Sequence, residues 1–179
     1  MDIRIQKTKT SIYNAFFALR EKKELEKITI KELSELAKIS KQTFYLHYKD
    51  IYDLSEQIEK NLINELMESL TYKSDILAHI KETTIELFNN ATSKGKLFKT
   101  VFSGSRVNIL VSALEANVKQ LIYNEHPELR TDLKTNIYIT VLVQGCYFAY
   151  QQYSSIDQER VAQILGEISD SITAYYMGG

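Results

Sequence analysis

Proline occurs once in 179 residues and glycine six times. So few breakers, set among long apolar runs of helical period, argue for an all-α chain of about nine helices. Cysteine also occurs once, as Cys146. That excludes an internal disulfide and a cysteine metal cluster, and it suits a reducing compartment. The opening MDIRIQKTK has no apolar core of signal-peptide length. The longest apolar stretch, residues 137–150, is broken by Thr140, Gln144 and Gly145. It falls short of the roughly 20 residues a membrane span needs. A cytoplasmic protein with no membrane partner is expected. Enzyme signatures are missing as well: there is no phosphate-cradling glycine loop, no HExxH and no GxSxG. No catalytic residue and no cofactor are expected.

What is present is an ordinary globular composition, 44% hydrophobic and 25% charged. The net charge of −1 conceals an asymmetry. Residues 1–55 carry 11 Lys/Arg against 8 Asp/Glu, and residues 56–179 carry 11 against 15. A basic first third on an acidic remainder suits a polyanion partner for that third, although splits of this size also arise by chance.

A first helix is predicted over about residues 6–22, with Ile12, Ala15, Phe16 and Leu19 as its buried stripe. Thr29 followed by Glu32 is a capping box, and Ile28 with Leu33 has the spacing of a hydrophobic staple. They open a short second helix that buries Ile30, Leu33, Leu36 and Ala37. After a turn at Lys38 and Ile39, Ser40 caps a third helix that ends near Tyr48 or Lys49. Asp50 caps a fourth, with Asp53 in its first turn, and Leu54, Ile58, Leu62 and Leu66 run out to about Leu70. Two short helices around a tight turn, braced by longer ones, form a helix-turn-helix pattern. Further helices are expected from Ser74 or Asp75 to about residue 90, between Gly95 and Gly104, and over about 106–124, 128–153 and 158–176.

The third helix is overstocked with rings and cations. On a helical wheel Phe44 and Tyr48 share one face and should anchor it, with Leu33 and Ala37 of the second helix as the rest of that core. Gln42, Thr43, Leu46 and His47 point elsewhere, and Lys41 and Tyr45 lie at the edge. That second surface suits duplex DNA. Lysine and glutamine can read base edges, and Leu46 can meet a thymine methyl. Thr43, Tyr45, His47 and Lys49 offer donors to phosphate oxygens, as do the N-termini of the second and fourth helices.

Residues 28–54, ITIKELSELAKISKQTFYLHYKDIYDL, resemble the DNA-binding segment of the TetR family of bacterial transcriptional regulators. The family pattern is carried by Thr29, the turn Ala37, Lys38, Ile39, then Ser40, Thr43, Phe44, Tyr45, Tyr48, Lys49 and Asp50. The resemblance covers about residues 8–60. It implies a helix-turn-helix domain over 1–50 and a helical ligand-binding and dimerisation domain over 51–179, with the fourth helix, about 51–70, as connector. It implies Lys31, Lys41 and Gln42 at bases, and Thr29, Thr43, Tyr45, His47 and Lys49 at phosphates. It also implies a homodimer on an inverted-repeat operator and release by a small molecule; some members are controlled by a protein partner instead. Many members have glycine where this chain has Lys38, so either a positive φ at some cost or a slightly different turn is expected there.

Toward the C-terminus, residues 137–149 are apolar on nearly every side and should be buried on nearly every side. Gly145 with Ala149, and Ala162 with Gly166, are small residues four apart that let another helix approach. A homodimer through these two helices is expected; an intrachain contact would use the same residues. Phe88, Phe98, Phe102, Tyr123, Tyr138 and Tyr147 could line an effector pocket or simply form core. Asp75, His79 and Glu82 share a helix face, but such a face is more often solvated than metal-binding, and no metal is expected. Cys146, in the most apolar helix, reads as a buried structural thiol rather than a redox sensor.

Overall fold

The computed structural model describes residues 3–178. Among them are nine α-helices, three short 3-10 turns and no strand, so the chain is all-α. The first four helices are α1 (Ile3–Arg20), α2 (Ile30–Ala37), α3 (Lys41–Tyr45) and α4 (Ile51–Glu68). The other five are α5 (Ile80–Ser93), α6 (Gly95–Val101), α7 (Val107–Glu125), α8 (Leu133–Tyr153) and α9 (Gln158–Gly178).

Several boundaries differ from expectation. α3 stops at Tyr45, three residues early, because the N–H groups of both His47 and Tyr48 turn back onto the Phe44 carbonyl. α5 begins at Ile80 rather than at Ser74 or Asp75. Asp75 does accept the Ala78 N–H at 3.3 Å, but it caps a turn that His79 ends with φ −125° and ψ 36°. α8 begins at Leu133 because Asp132 takes the Thr135 N–H at 2.8 Å, and the five residues before it form a 3-10 turn. Leu36, expected in the core, is exposed on the outer side of α2.

The chain divides into two compact units. The first runs through Leu62 and adds Lys96–Val107; the second holds Ile63–Gly95 and the chain from Asn108 on. The unit with the helix-turn-helix thus takes in more than residues 1–50. In it α1 packs on α2 and α2 on α3, around Ile12, Phe16, Leu25, Leu33, Phe44 and Leu54, each about fully buried. In the second unit α9 packs on α5 and α8. The close approach of α9 to α5 depends on Gly166, where a Cβ would lie 2.8 Å from the Ile85 side chain and 3.0 Å from the Lys81 carbonyl.

Candidate nucleic-acid interface

The candidate surface begins with a capped entry to α2. Thr29 Oγ1 accepts the Glu32 N–H at 3.3 Å, and Glu32 Oε2 accepts the Thr29 N–H at 3.2 Å. Both halves of the capping box are therefore made. Lys23 Nζ adds bonds of 2.7 and 2.8 Å to the same carboxylate. Lys23 first and Thr29 second hold the Glu32 carboxyl down at about 2.

The turn to α3 is made by Lys38 in the left-handed region, at φ 56° and ψ 43°. The Ile39 N–H reaches back to the Ser34 carbonyl at 3.0 Å, the six-residue closure of a Schellman turn. Glycine takes this conformation without the clash a Cβ brings, so Lys38 costs about 1 kcal/mol here. Ser40 then caps α3, its hydroxyl accepting the Thr43 N–H at 3.0 Å.

α3 and the turn after it divide their side chains as the sequence suggests. Phe44 and Tyr48 are buried with ring centroids 5.7 Å apart, and Leu33 and Ala37 are buried beneath them in the same unit. Burial first, and the Asp53 charge second, push the Tyr48 hydroxyl pKa upward. Lys41, Gln42, Tyr45, Leu46 and Lys49 are exposed, Tyr45 by 57% and Leu46 by 77%. The Tyr45 ring stands edge-on to Phe44, with centroids 5.8 Å apart. Lys31 is exposed on α2. Thr43 is half-buried, its hydroxyl 2.8 Å from that of Ser40, and His47 is half-buried beside Tyr48.

Two expected phosphate donors are already occupied. The Thr29 hydroxyl donates to Glu32 Oε2 at 2.8 Å, so its proton serves the cap. At the start of α4 the Asp53 N–H binds Asp50 Oδ1 and the Lys49 N–H binds Asp53 Oδ2, both at 2.8 Å. Two carboxylates stand where free N–H groups were expected, and they oppose a phosphate there. Gln57 first, then the Lys49 N–H, lower the Asp53 pKa. Tyr52 is also exposed beside this surface, in the first turn of α4. Its position off the Leu54, Ile58, Leu62 stripe is consistent with that exposure.

The residues expected at a dimer contact separate. Gly145 is exposed with nothing within 4 Å of where a Cβ would stand, and Ala149 is half-buried. Ala162 and Gly166 are buried inside the second unit, Gly166 against α5, so this pair meets its own chain instead of a partner. α8 leaves Leu133, Ile137, Val141, Phe148 and Tyr153 in water, and α9 leaves Ile164, Ile168, Ile172, Tyr175 and Met177. Residues 137–149, expected to be buried on nearly every side, leave Ile137, Val141 and Phe148 exposed in the single chain.

The aromatic residues expected around an effector pack on near neighbours. Phe88 stacks on Tyr150 at 4.2 Å. The hydroxyl of Tyr123 donates to Asn136 at 2.8 Å, that of Tyr138 pairs with Thr173 at 2.5 Å, and that of Tyr147 accepts from Gln151 at 3.1 Å. Phe102 lies in the first unit, against Phe98 at 4.7 Å. A groove of about 210 Å³ in the second unit is lined instead by Asn64, Met67, Glu68, Lys73, Asn117, Gln120 and Leu121. His79 stacks on Tyr72 at 4.1 Å, and no group of metal-ligating residues occurs among the described residues. Burial raises the Cys146 pKa while a contact with Ser169 at 3.5 Å lowers it, the net being upward. No helix among the described residues is long and apolar enough to cross a membrane.

No family model matches the chain, and no solved structure matches it significantly. The chain is similar to an uncharacterized HTH-type transcriptional regulator, YxbF, of Bacillus subtilis (strain 168), at 23% identity over 147 residues. The match covers 70% of this chain but 38% of that relative, so the chain spans well under half of the relative's length.

Proposed function

We propose that this chain is a sequence-specific DNA-binding transcriptional regulator of the TetR type, acting as a homodimeric repressor in the cytoplasm. The observation that carries this reading is the outward set of α3. α3 and the turn that follows it, fastened by Phe44 and Tyr48, leave Lys41, Gln42, Tyr45, Leu46 and Lys49 exposed after a capped, closed turn. Likeness to a protein described as an HTH-type transcriptional regulator supports it.

In this reading each subunit inserts α3 into a major groove. Lys41 and Gln42, with Lys31, meet base edges, and Leu46 meets a thymine methyl. Tyr45, Lys49, Thr43 and His47 take phosphates. The bare apolar side chains of α8 and α9 support a two-fold pairing through those helices, which calls for inverted half-sites about 34–36 Å apart or a multiple of that. A small effector bound in the second unit relieves repression. The paired tyrosine hydroxyls and stacked rings there favour a second reading, in which a partner protein takes the effector's place.

Selection of bound sequences from a random duplex pool, at stated salt, tests the proposal. An enriched inverted repeat, bound less tightly as salt rises, is the expected result. Equal recovery of all sequences would refute it.

A further inference from the structure

Residues 96–107 are remote in sequence from the helix-turn-helix, yet they belong to the same compact unit. Two buried arginines tie them in. Arg20, at the end of α1, donates from Nη2 to the Thr100 carbonyl at 3.2 Å and to the Ser103 hydroxyl at 2.9 Å. Arg106, 7% exposed, reaches α4: its Nε and Nη2 donate to the two carboxylate oxygens of Glu59 at 2.8 and 2.6 Å. Glu59, 2% exposed, also accepts the Ser55 hydroxyl at 2.6 Å. Gly104, at φ +60°, lets the segment lie where a Cβ would stand 2.4 Å from the Glu24 carboxylate.

A buried ion pair is a weak source of stability, because desolvation of both charges offsets most of their attraction. A two-pronged guanidinium–carboxylate contact does something an apolar contact does not: it fixes angle and distance. Here it fixes α4. α3 has five residues, too few to hold a direction of its own. It is seated on α2 and joined to the start of α4 by the buried Tyr48 and by the Lys49 bond to Asp53. Glu59 lies about 12 Å along the helix from Ile51, at about 1.5 Å per residue. A tilt of about 10° pivoting at Glu59 would shift the α3 end by about 2 Å, more than a hydrogen bond tolerates.

We infer that Arg106 is a positioning residue for DNA reading: paired with Glu59, it sets the tilt of α4 and through it the aim of α3. This rests on the DNA-binding reading above. The test uses the full chain and two probes, the duplex that the wild type enriches and a scrambled duplex. The double variant Glu59→Leu/Arg106→Met removes both charges together, so neither is left buried alone, and its melting temperature is expected at or above that of either single variant. Affinity for the enriched duplex is expected to fall about tenfold or more, while affinity for the scrambled duplex stays within about threefold. A folded double variant whose ratio of the two affinities matches the wild type would overturn the inference. If that variant does not fold, Arg106→Lys keeps the charge and loses the fork. A ratio reduced about threefold or more in that variant supports the inference, and an unchanged ratio overturns it. A wild type that enriches no duplex would overturn the regulator reading itself, and this inference with it.

Discussion

α3 and α8 both leave large apolar side chains in water, in different company. Around α3, Tyr45 and Leu46 stand among Lys41, Gln42 and Lys49. On α8, Leu133, Ile137 and Val141 repeat at four-residue spacing, next to an open Gly145 and Phe148. The first is an apolar spot inside a polar, cationic rim, which suits a hydrated polyanion. The second is a continuous apolar stripe, which suits another helix. Exposure alone separates neither from ordinary surface; the neighbours do.

The largest effect should come from undercutting the first surface at its root. Phe44→Ala removes a fully buried ring and is expected to destabilise the chain by about 3–5 kcal/mol in urea unfolding. DNA binding should go with it. Breaking the second surface leaves the fold alone. Ile137→Asp with Val141→Asp sets two charges into a stripe where Val141 is 60% exposed in the single chain. Sedimentation should then report a monomer, with the dimer weakened by about 3 kcal/mol or more and helical content unchanged. A dimer of unaltered mass would remove α8 from the contact.

Single exposed residues sharpen the contrast. Tyr45→Ala should weaken binding to every duplex by about 1–2 kcal/mol without lowering the melting temperature, since the ring packs edge-on to Phe44 yet is mostly in water. Loss on one sequence alone would mark it as a base reader. Lys38→Gly relieves the left-handed backbone and should raise stability by about 0.5–1 kcal/mol, read as a higher urea midpoint.

The smallest effect is a likeness between the two units. Glu32 is held at about 2 by Lys23 and Thr29. For Glu115 burial pushes upward, but bonds from Lys119, Thr140 and Gln144 outweigh it and also hold it at about 2. The ordinary value for both is 4.5. A carboxyl depressed by folding contributes stability that is complete above the unfolded pKa and is lost as pH falls through the folded one. Each unit should therefore weaken between pH 4.5 and about 2. Glu32→Gln and Glu115→Gln should each flatten part of that acid loss in urea midpoints taken at several pH values.

Local chemistry was legible in advance. The Thr29–Glu32 box, the Ser40 and Asp50 caps and the burial of Phe44 and Tyr48 each depend on residues within four positions of one another. Where helices end was less so. The early stop of α3 and the late start of α5 turn on hydrogen bonds that competing turns make equally well. The pairing of Arg106 with Glu59 was not legible, since 47 residues separate them and nothing in either neighbourhood marks a partner. Gly166 was read with Ala162 as a small pair that lets another helix approach, and only the position of Ile85 shows which helix it serves.

A helix of only five residues at the candidate surface also limits what can be moved between proteins. Cut out as a peptide, residues 41–45 fall far below the roughly 12–15 that hold helix in water. Under the proposed reading, specificity is not a portable cassette. An engineer exchanging α3 would need to carry the turn at Lys38, the Asp50–Asp53 entry to α4 and the floor beneath Phe44 along with it.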